Sequence, residues 1–195
     1  MALQGHKASI KVQSSGVTMT DEATTGTANL TYQITDTAKR IIDMNTSVVV
    51  EDGGSTTSEN YTIDYLNGTI VFSTATARVI TVTGKYMTPV TVATANSFTV
   101  TVSNEALENT PFEASHRTYQ GGLVTGTANL GRYHVSDDLI IDEILASNYL
   151  IIELNVSASE KISFYGLIAT DSVDATVEAL ITETIDVQIT NQIGV

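Results

Sequence analysis

Residues 61–73, YTIDYLNGTIVFS, constrain the fold more than any other stretch of the chain. Two runs rich in β-branched and aromatic residues flank Asn67-Gly68. That dipeptide suits a type I′ turn, whose two central residues both take positive φ. A two-residue turn sets Leu66 opposite Thr69, Tyr65 opposite Ile70, Asp64 opposite Val71 and Ile63 opposite Phe72. Side chains alternate across a strand, so Tyr61, Ile63, Tyr65, Ile70 and Phe72 share one face. Thr62, Asp64, Leu66, Thr69, Val71 and Ser73 share the other. Turn chemistry and apolar pattern agree, and a β-hairpin is predicted.

The rest of the chain extends this reading. It is rich in Thr and Val, with no Trp and two Pro, a composition that favours strands. Period-two patterns predict strands at 6–12, 30–34, 41–43, 47–51, 78–86, 90–92, 98–102, 130–135, 149–156, 161–169 and 185–189. Residues 35–40 can form one helical turn capped by Thr35 or Asp36. Asp52-Gly53-Gly54 reads as a strand stop. Residues 17–27, VTMTDEATTGT, are small and polar and read as a loop; residues 105–122 have no period and read as a long loop. One short flanking helix is predicted at about 136–147: Ser136 caps it, Asp137 and Asp138 suit its positive end, and Ile140, Ile141, Ile144 and Leu145 form its stripe. Residues 173–181 mix helical spacing with β-branched content. The hexapeptide TGTANL occurs at 25–30 and again at 125–130, which suggests either coincidence or two related β lobes.

A chain of 195 residues fits one domain or two small ones and can bury a core without staples. It has no cysteine, so disulfides and thiolate metal sites are excluded. Residues 1–10 lack a secretory layout, and no apolar run approaches the roughly 18 residues of a membrane span, so no membrane insertion is expected. The net charge of −13 is uneven. Residues 1–100 hold eight acids and six bases, a net of −2; residues 101–195 hold fourteen and three, a net of −11. This charge favours solubility, and it also makes a surface that repels phosphate. The chain is therefore expected to be one domain, 1–195, with a near-neutral β lobe at about 18–88 and an acidic second half at about 89–195.

Two stretches carry a family resemblance. The first runs from Asp21 to Met87 and includes the hairpin. The second runs from Ser97 to Val135: a strand ending in Ser103-Asn104, then Leu107, Thr110, Phe112, Arg117, Gly121-Gly122-Leu123 and Gly126-Thr127, then a new strand. Both resemble the major tail, or tail tube, protein of long-tailed bacteriophages. The resemblance implies an antiparallel β-sandwich or half-barrel with a flanking helix. It also implies hexameric rings that stack into a tube, conducting double-stranded DNA through an acidic lumen during ejection. Partners would be copies of the chain and tape measure, tail tip and tail terminator proteins. The site would be the virion tail, assembled in the host cytoplasm. The loop carrying Glu105, Leu107, Thr110, Phe112, Arg117 and Leu123 becomes a candidate for contacts between subunits. Asp137, Asp138, Asp142 and Glu143 become candidates for the lumen or another acidic surface.

No residue set points to catalysis, a metal or a cofactor. Carboxylate pairs occur at Asp137-Asp138 and Asp142-Glu143, but sequence shows no convergence of two carboxylates across a cleft. His6, His116 and His134 are scattered without ligand spacing. A structural, non-enzymatic role is expected; the alternative is a β-sandwich adhesin or a decoration or binding module of a virion or cell surface.

Overall fold

The computed structural model describes residues 9–13, 15–93, 95–112, 115–133, 147–155, 161–175 and 181–194. The chain is mainly β, about two thirds strand, with antiparallel sheets of which one is a half-barrel. Among the described residues, fourteen strands make two seven-stranded sheets. Sheet I has the order β10-β11-β14-β13-β12-β1-β9, and sheet II the order β5-β4-β8-β2-β3-β7-β6. Sheet I contains β1 (Ser9–Gln13), β9 (Val90–Ala93), β10 (Ala95–Glu108), β11 (Tyr119–Tyr133), β12 (Leu150–Asn155), β13 (Lys161–Asp174) and β14 (Thr182–Gly194). Sheet II contains β2 (Val17–Thr27), β3 (Thr31–Ile34), β4 (Val49–Asp52), β5 (Ser55–Thr56), β6 (Tyr61–Asp64), β7 (Thr69–Phe72) and β8 (Ile80–Tyr86).

In both sheets the two end strands are neighbours in the chain. Residue 94 alone separates β9 from β10, and residues 57–60 separate β5 from β6. A flat seven-stranded sheet is roughly 29 Å wide at about 4.8 Å per strand. A link of one residue spans only about 7 Å between the flanking Cα atoms. Sheet I must therefore curl. The described residues of its core, including Leu130, Ile152, Leu154, Phe164, Ile185 and Val187, all come from its own strands. Sheet II encloses a second core around Tyr32, Ile34, Val50, Ile70, Phe72 and Val82. A third cluster, Leu66, Met87, Ile151 and Tyr165, joins the two sheets. The Tyr165 hydroxyl donates to the Ile42 carbonyl across that joint, and burial raises the pKa of its phenol. Residues 150–154 of β12 are buried on both faces, which is why the strand reads LIIEL rather than alternating.

The hairpin forms, but its register differs from the expected one. Asp64 pairs with Thr69, Ile63 with Ile70, Thr62 with Val71 and Tyr61 with Phe72. The connection is thus residues 65–68, not two residues. Only Gly68 in it has positive φ, 59°, so the turn is not type I′. The cause is Asp64, whose carboxylate accepts from the backbone amides of Leu66 (3.0 Å) and Asn67 (3.2 Å) and from Asn67 Nδ2 (2.8 Å). The wider loop turns Leu66 into the inter-sheet cluster. A slip of two residues preserves side-chain parity, so Tyr61 and Ile63 still share a face with Ile70 and Phe72.

One expected loop is a strand, and another is strand at both of its ends. Residues 17–27 form β2, which pairs with β8 through its first half and with β3 through its second. Only Met19 among its residues is fully buried, so no apolar alternation marks it. A register shift between Met19 and Glu22, with Asp21 at φ 49°, bends the strand between its two partners. The two ends of the expected loop at 105–122 belong to β10 and β11, whose ladder runs out to Glu108↔Tyr119, and the described residues between them form the connection. The capped turn at 35–40 is a 3-10 helix, Thr37–Lys39, with Asp36 Oδ1 accepting from the Ala38 amide at 3.0 Å. The expected helix at 136–147 lies outside the described residues except for Ser147, a turn residue at φ 55°. The two TGTANL copies differ in conformation. In the first, Ala28 and Asn29 take φ 53° and 57° and end β2; the second runs straight through β11 with Ala128 buried.

Candidate assembly surface

The β10–β11 hairpin outgrows its core. Near its base Phe98, Val100, Ala128 and Leu130 pack into the sheet I core. Beyond Thr101 on β10 and before Gly126 on β11, every described side chain except Thr110 is exposed; the glycine at 122 is half-buried. From Thr101 to Glu108 the strand rises about 25 Å. Two-stranded ribbons without a third strand or a covering element are marginal in water, yet this arm carries large apolar groups on the surface. Phe112 is 100% exposed and Leu123 77%, with Val102, Leu107, Tyr119 and Val124 also exposed. A register shift between Asn104 and Ala106 twists the arm midway.

The structure brings part of the predicted contact set together at the tip. Thr110 Oγ1 donates to Glu108 Oε1 at 2.9 Å and accepts from the Thr118 amide at 3.0 Å. Arg117 Nη1 stands 3.9 Å from Glu108 Oε2. Glu105, Leu107, Phe112 and Leu123 are exposed along the arm and its tip. The candidate acidic residues Asp137, Asp138, Asp142 and Glu143 lie outside the described residues.

A second surface was not legible in the sequence. The face of β10, β11, β14 and β13 turned away from the core is paved with small polar groups in cross-strand rows. Thr99 pairs with Asn129, Asn129 with Asp186 and Asp186 with Thr170. Ser97, Gly131, Thr184 and Ser172 form the next row, and Thr101, Thr127 and Gln188 lie on the other side. Of the residues named in these rows, Asp186 alone is ionisable. Asn129 Nδ2 donates to its Oδ1 at 2.7 Å and Thr170 Oγ1 to its Oδ2 at 2.8 Å. These two hydrogen bonds hold its pKa below the usual carboxylate range. A shallow depression of about 300 Å³ lies among the rows, lined by Thr99, Thr127 and Asp186 among others. The signal available in sequence was TVT at 99–101 and TGT at 125–127, which only the register places opposite one another.

Several charges elsewhere are structural. Arg132 and Glu183 are cross-strand partners on the core face, joined at 3.1 Å and 2.6 Å and almost wholly buried. Glu153 is buried between Lys161 (3.0 Å) and Lys11 (3.6 Å). The Arg78 guanidinium lies over the Phe72 ring at 4.3 Å, pairs with Glu59 and donates to the carbonyls of Asn29, Thr74 and Thr76. Among the described residues no group of three or more His, Asp or Glu could hold a metal ion. No helix there is long and apolar enough to cross a membrane.

No protein-family model matches the chain, and no curated protein matches it. Among solved structures it is similar to a chain from the tail of an empty gene transfer agent particle, refined helically with C6 symmetry. Identity there is 9%, the TM-score is 0.49, and the match covers 54% of this chain and 84% of that one. It is similar also to a chain from the virion of a native gene transfer agent particle, at 9% identity and TM-score 0.48, over 54% of this chain and 86% of that one.

Proposed function

We propose that this chain is a structural subunit of a virion tail that self-assembles into stacked rings forming a hollow tube for DNA. The observation that carries the reading is the β10–β11 arm, a long hairpin with both faces exposed and large apolar side chains along it. Monomeric proteins rarely expose contiguous apolar surface of this kind without a partner for it. The arm is the contact element between copies, with Leu107, Phe112 and Leu123 as its anchors. The resemblance in sequence to tail tube proteins supplies the ring and tube, and the net charge of −11 over residues 101–195 suits a conduit that must not hold DNA. In this reading the hydroxyl-paved face of β10, β11, β14 and β13 lines the lumen. Among its described residues these rows present no cation to phosphate, and Asp186 and Asp174 add negative charge to them. Acidic residues 137, 138, 142 and 143 add to that field, and catalysis plays no part. The tape measure, tail tip and terminator proteins would meet the assembled tube, which forms in the host cytoplasm.

Sedimentation velocity over a concentration series tests this. Wild-type protein shifts to large species as concentration rises. A triple variant, Leu107→Ser, Phe112→Ala and Leu123→Ser, keeps its fold and sediments as a monomer. Wild-type protein that stays monomeric at every concentration, alone and with tail tip protein, removes the reading. Binding to a glycan array by that monomer would favour the adhesin alternative.

A further inference from the structure

The dipeptide Asn67-Gly68 takes no part in the assembly surface, yet its surroundings give it a chemistry of its own. We propose that Asn67 is a site of spontaneous deamidation and that the Asp64 carboxylate holds it unreacted in the folded chain. Reaction there unfastens the 65–68 loop from β3 and from the joint between the sheets. Three observations carry this.

The first is that the reactants are in place. Asn67 is the only asparagine of the chain followed by glycine. It is exposed in the loop between β6 and β7, so water reaches it. Glycine at 68 carries no Cβ to shield its amide nitrogen from the side chain before it. The Gly68 nitrogen attacks Cγ of Asn67; a bond from nitrogen to Cγ forms and the bond from Cγ to Nδ2 breaks. The proton shed by the Gly68 amide leaves with Nδ2 as ammonia, and residue 67 becomes a cyclic imide. Water then opens the ring, its hydroxyl going to a carbonyl carbon and its other proton to the nitrogen. Opening at Cγ gives aspartate. Opening at the main-chain carbonyl gives isoaspartate, in which the chain runs through the side-chain methylene. Water is the only co-reactant, and nothing is oxidised or reduced.

The second is the hold. Asp64 Oδ2 accepts from Asn67 Nδ2 at 2.8 Å, while Oδ1 accepts from the Asn67 amide at 3.2 Å. The Asn67 carbonyl accepts from Gln33 Nε2 at 3.0 Å and from Thr69 Oγ1 at 3.4 Å. Side chain, amide and carbonyl of residue 67 are each fixed. Gly68 is fixed as well. Its carbonyl accepts from the Ile34 amide at 2.9 Å. It lies so close to Arg40 that a Cβ would stand 2.8 Å from that residue's Cα and carbonyl oxygen. Closing the imide requires the Asn67 side chain and the 67–68 peptide to turn towards each other, against all of these contacts. Ring closure therefore waits for the loop to open, and the fraction open sets the rate.

The third is what either product does to the loop. Aspartate at 67 replaces the Nδ2 donor with a second carboxylate facing Asp64, where no hydrogen bond remains and like charges repel. Isoaspartate lengthens the main chain by one methylene immediately before Gly68, which has no room to shift against Arg40. The same loop carries Leu66, buried with Met87, Ile151 and Tyr165 in the cluster that joins the sheets. A displacement at 67 is thus passed to the joint. Asp64 protects Asn67 while it is intact and repels the product afterwards, and the lost ammonia does not return.

The test follows residue 67 in the full chain by peptide mass spectrometry, with isoaspartate resolved from aspartate, during incubation in warm, mildly alkaline buffer. The same chain in urea gives the unrestrained rate. Folded wild-type protein should react at least about tenfold more slowly than the unfolded chain, as a site that reacts only when open does. Asp64→Ala, shown to be folded by circular dichroism, should react several-fold faster than folded wild type. If that variant does not fold, Asp64→Asn takes its place with the same expectation, because it keeps Oδ1 for the loop amides and loses the acceptor for Asn67 Nδ2. Equal rates in folded and unfolded wild type remove the hold. A folded Asp64 variant as slow as wild type also overturns the proposal, because the protection then belongs to the packing of Gly68. The consequence is read in Asn67→Asp, which carries one of the two products. Its Ile34 amide, the donor to Gly68, should exchange at least about tenfold faster than in wild type, while that of Val187 in sheet I stays unchanged. Unchanged exchange at Ile34 would show that reaction leaves the loop fastened.

Discussion

Arg132 and Glu183 show how much of this chain's charge serves the fold rather than a surface. The pair sits on the core face, almost wholly buried. Removing one partner of a buried pair leaves an uncompensated charge, so Glu183→Ala should cost about 3–5 kcal/mol in chemical denaturation. Glu108→Ala, at the exposed arm tip, should change stability by less than about 0.5 kcal/mol. Equal effects would mean that the buried pair is not held as described. Asp186 makes a different prediction. Its folded pKa is depressed by the hydrogen bonds from Asn129 and Thr170. A depressed carboxylate stabilises the fold above its unfolded value of about 3.9 and loses that contribution as pH falls through the folded value. Replacing both donors, Asn129→Ala with Thr170→Val, should return Asp186 towards the ordinary carboxylate value in an NMR titration. An unchanged titration would show that these hydrogen bonds do not hold the charge.

Whether an element was legible depended on whether one of its faces is buried. β3, β7 and β8 alternate buried with half-buried or exposed residues, and their patterns Tyr32/Ile34, Ile70/Phe72 and Ile80/Val82 place them directly. β2 and the outer arm bury almost nothing, so their residues leave no period to read. The hairpin loop was misread for another reason: Asn67-Gly68 favours a two-residue turn locally, but Asp64 captures the loop amides and Leu66 gains a buried place. Of the candidate contact residues, Thr110, Phe112 and Arg117 lie in the tip connection as expected and Glu105, Leu107 and Leu123 lie on strands, while the hydroxyl face was missed because register alone assembles it. The same contrast predicts dynamics. In the unassembled chain, amides of 101–108 and 119–125 should exchange far faster than those of β12, whose side chains are covered on both faces. Equal protection in arm and β12 would contradict an arm that stands clear of the core.

At the scale of the whole molecule, the two curled sheets share the joint of Leu66, Met87, Ile151 and Tyr165, while the outer arm remains uncovered. The proposed tube requires copies of the chain to close into rings, and end-on electron microscopy of concentrated protein measures that directly. The account predicts closed rings or tubes with a stain-filled central hole, lost in the Leu107→Ser, Phe112→Ala, Leu123→Ser variant. Particles that are solid in projection, or a field of monomers at every concentration with and without tail tip protein, would contradict it.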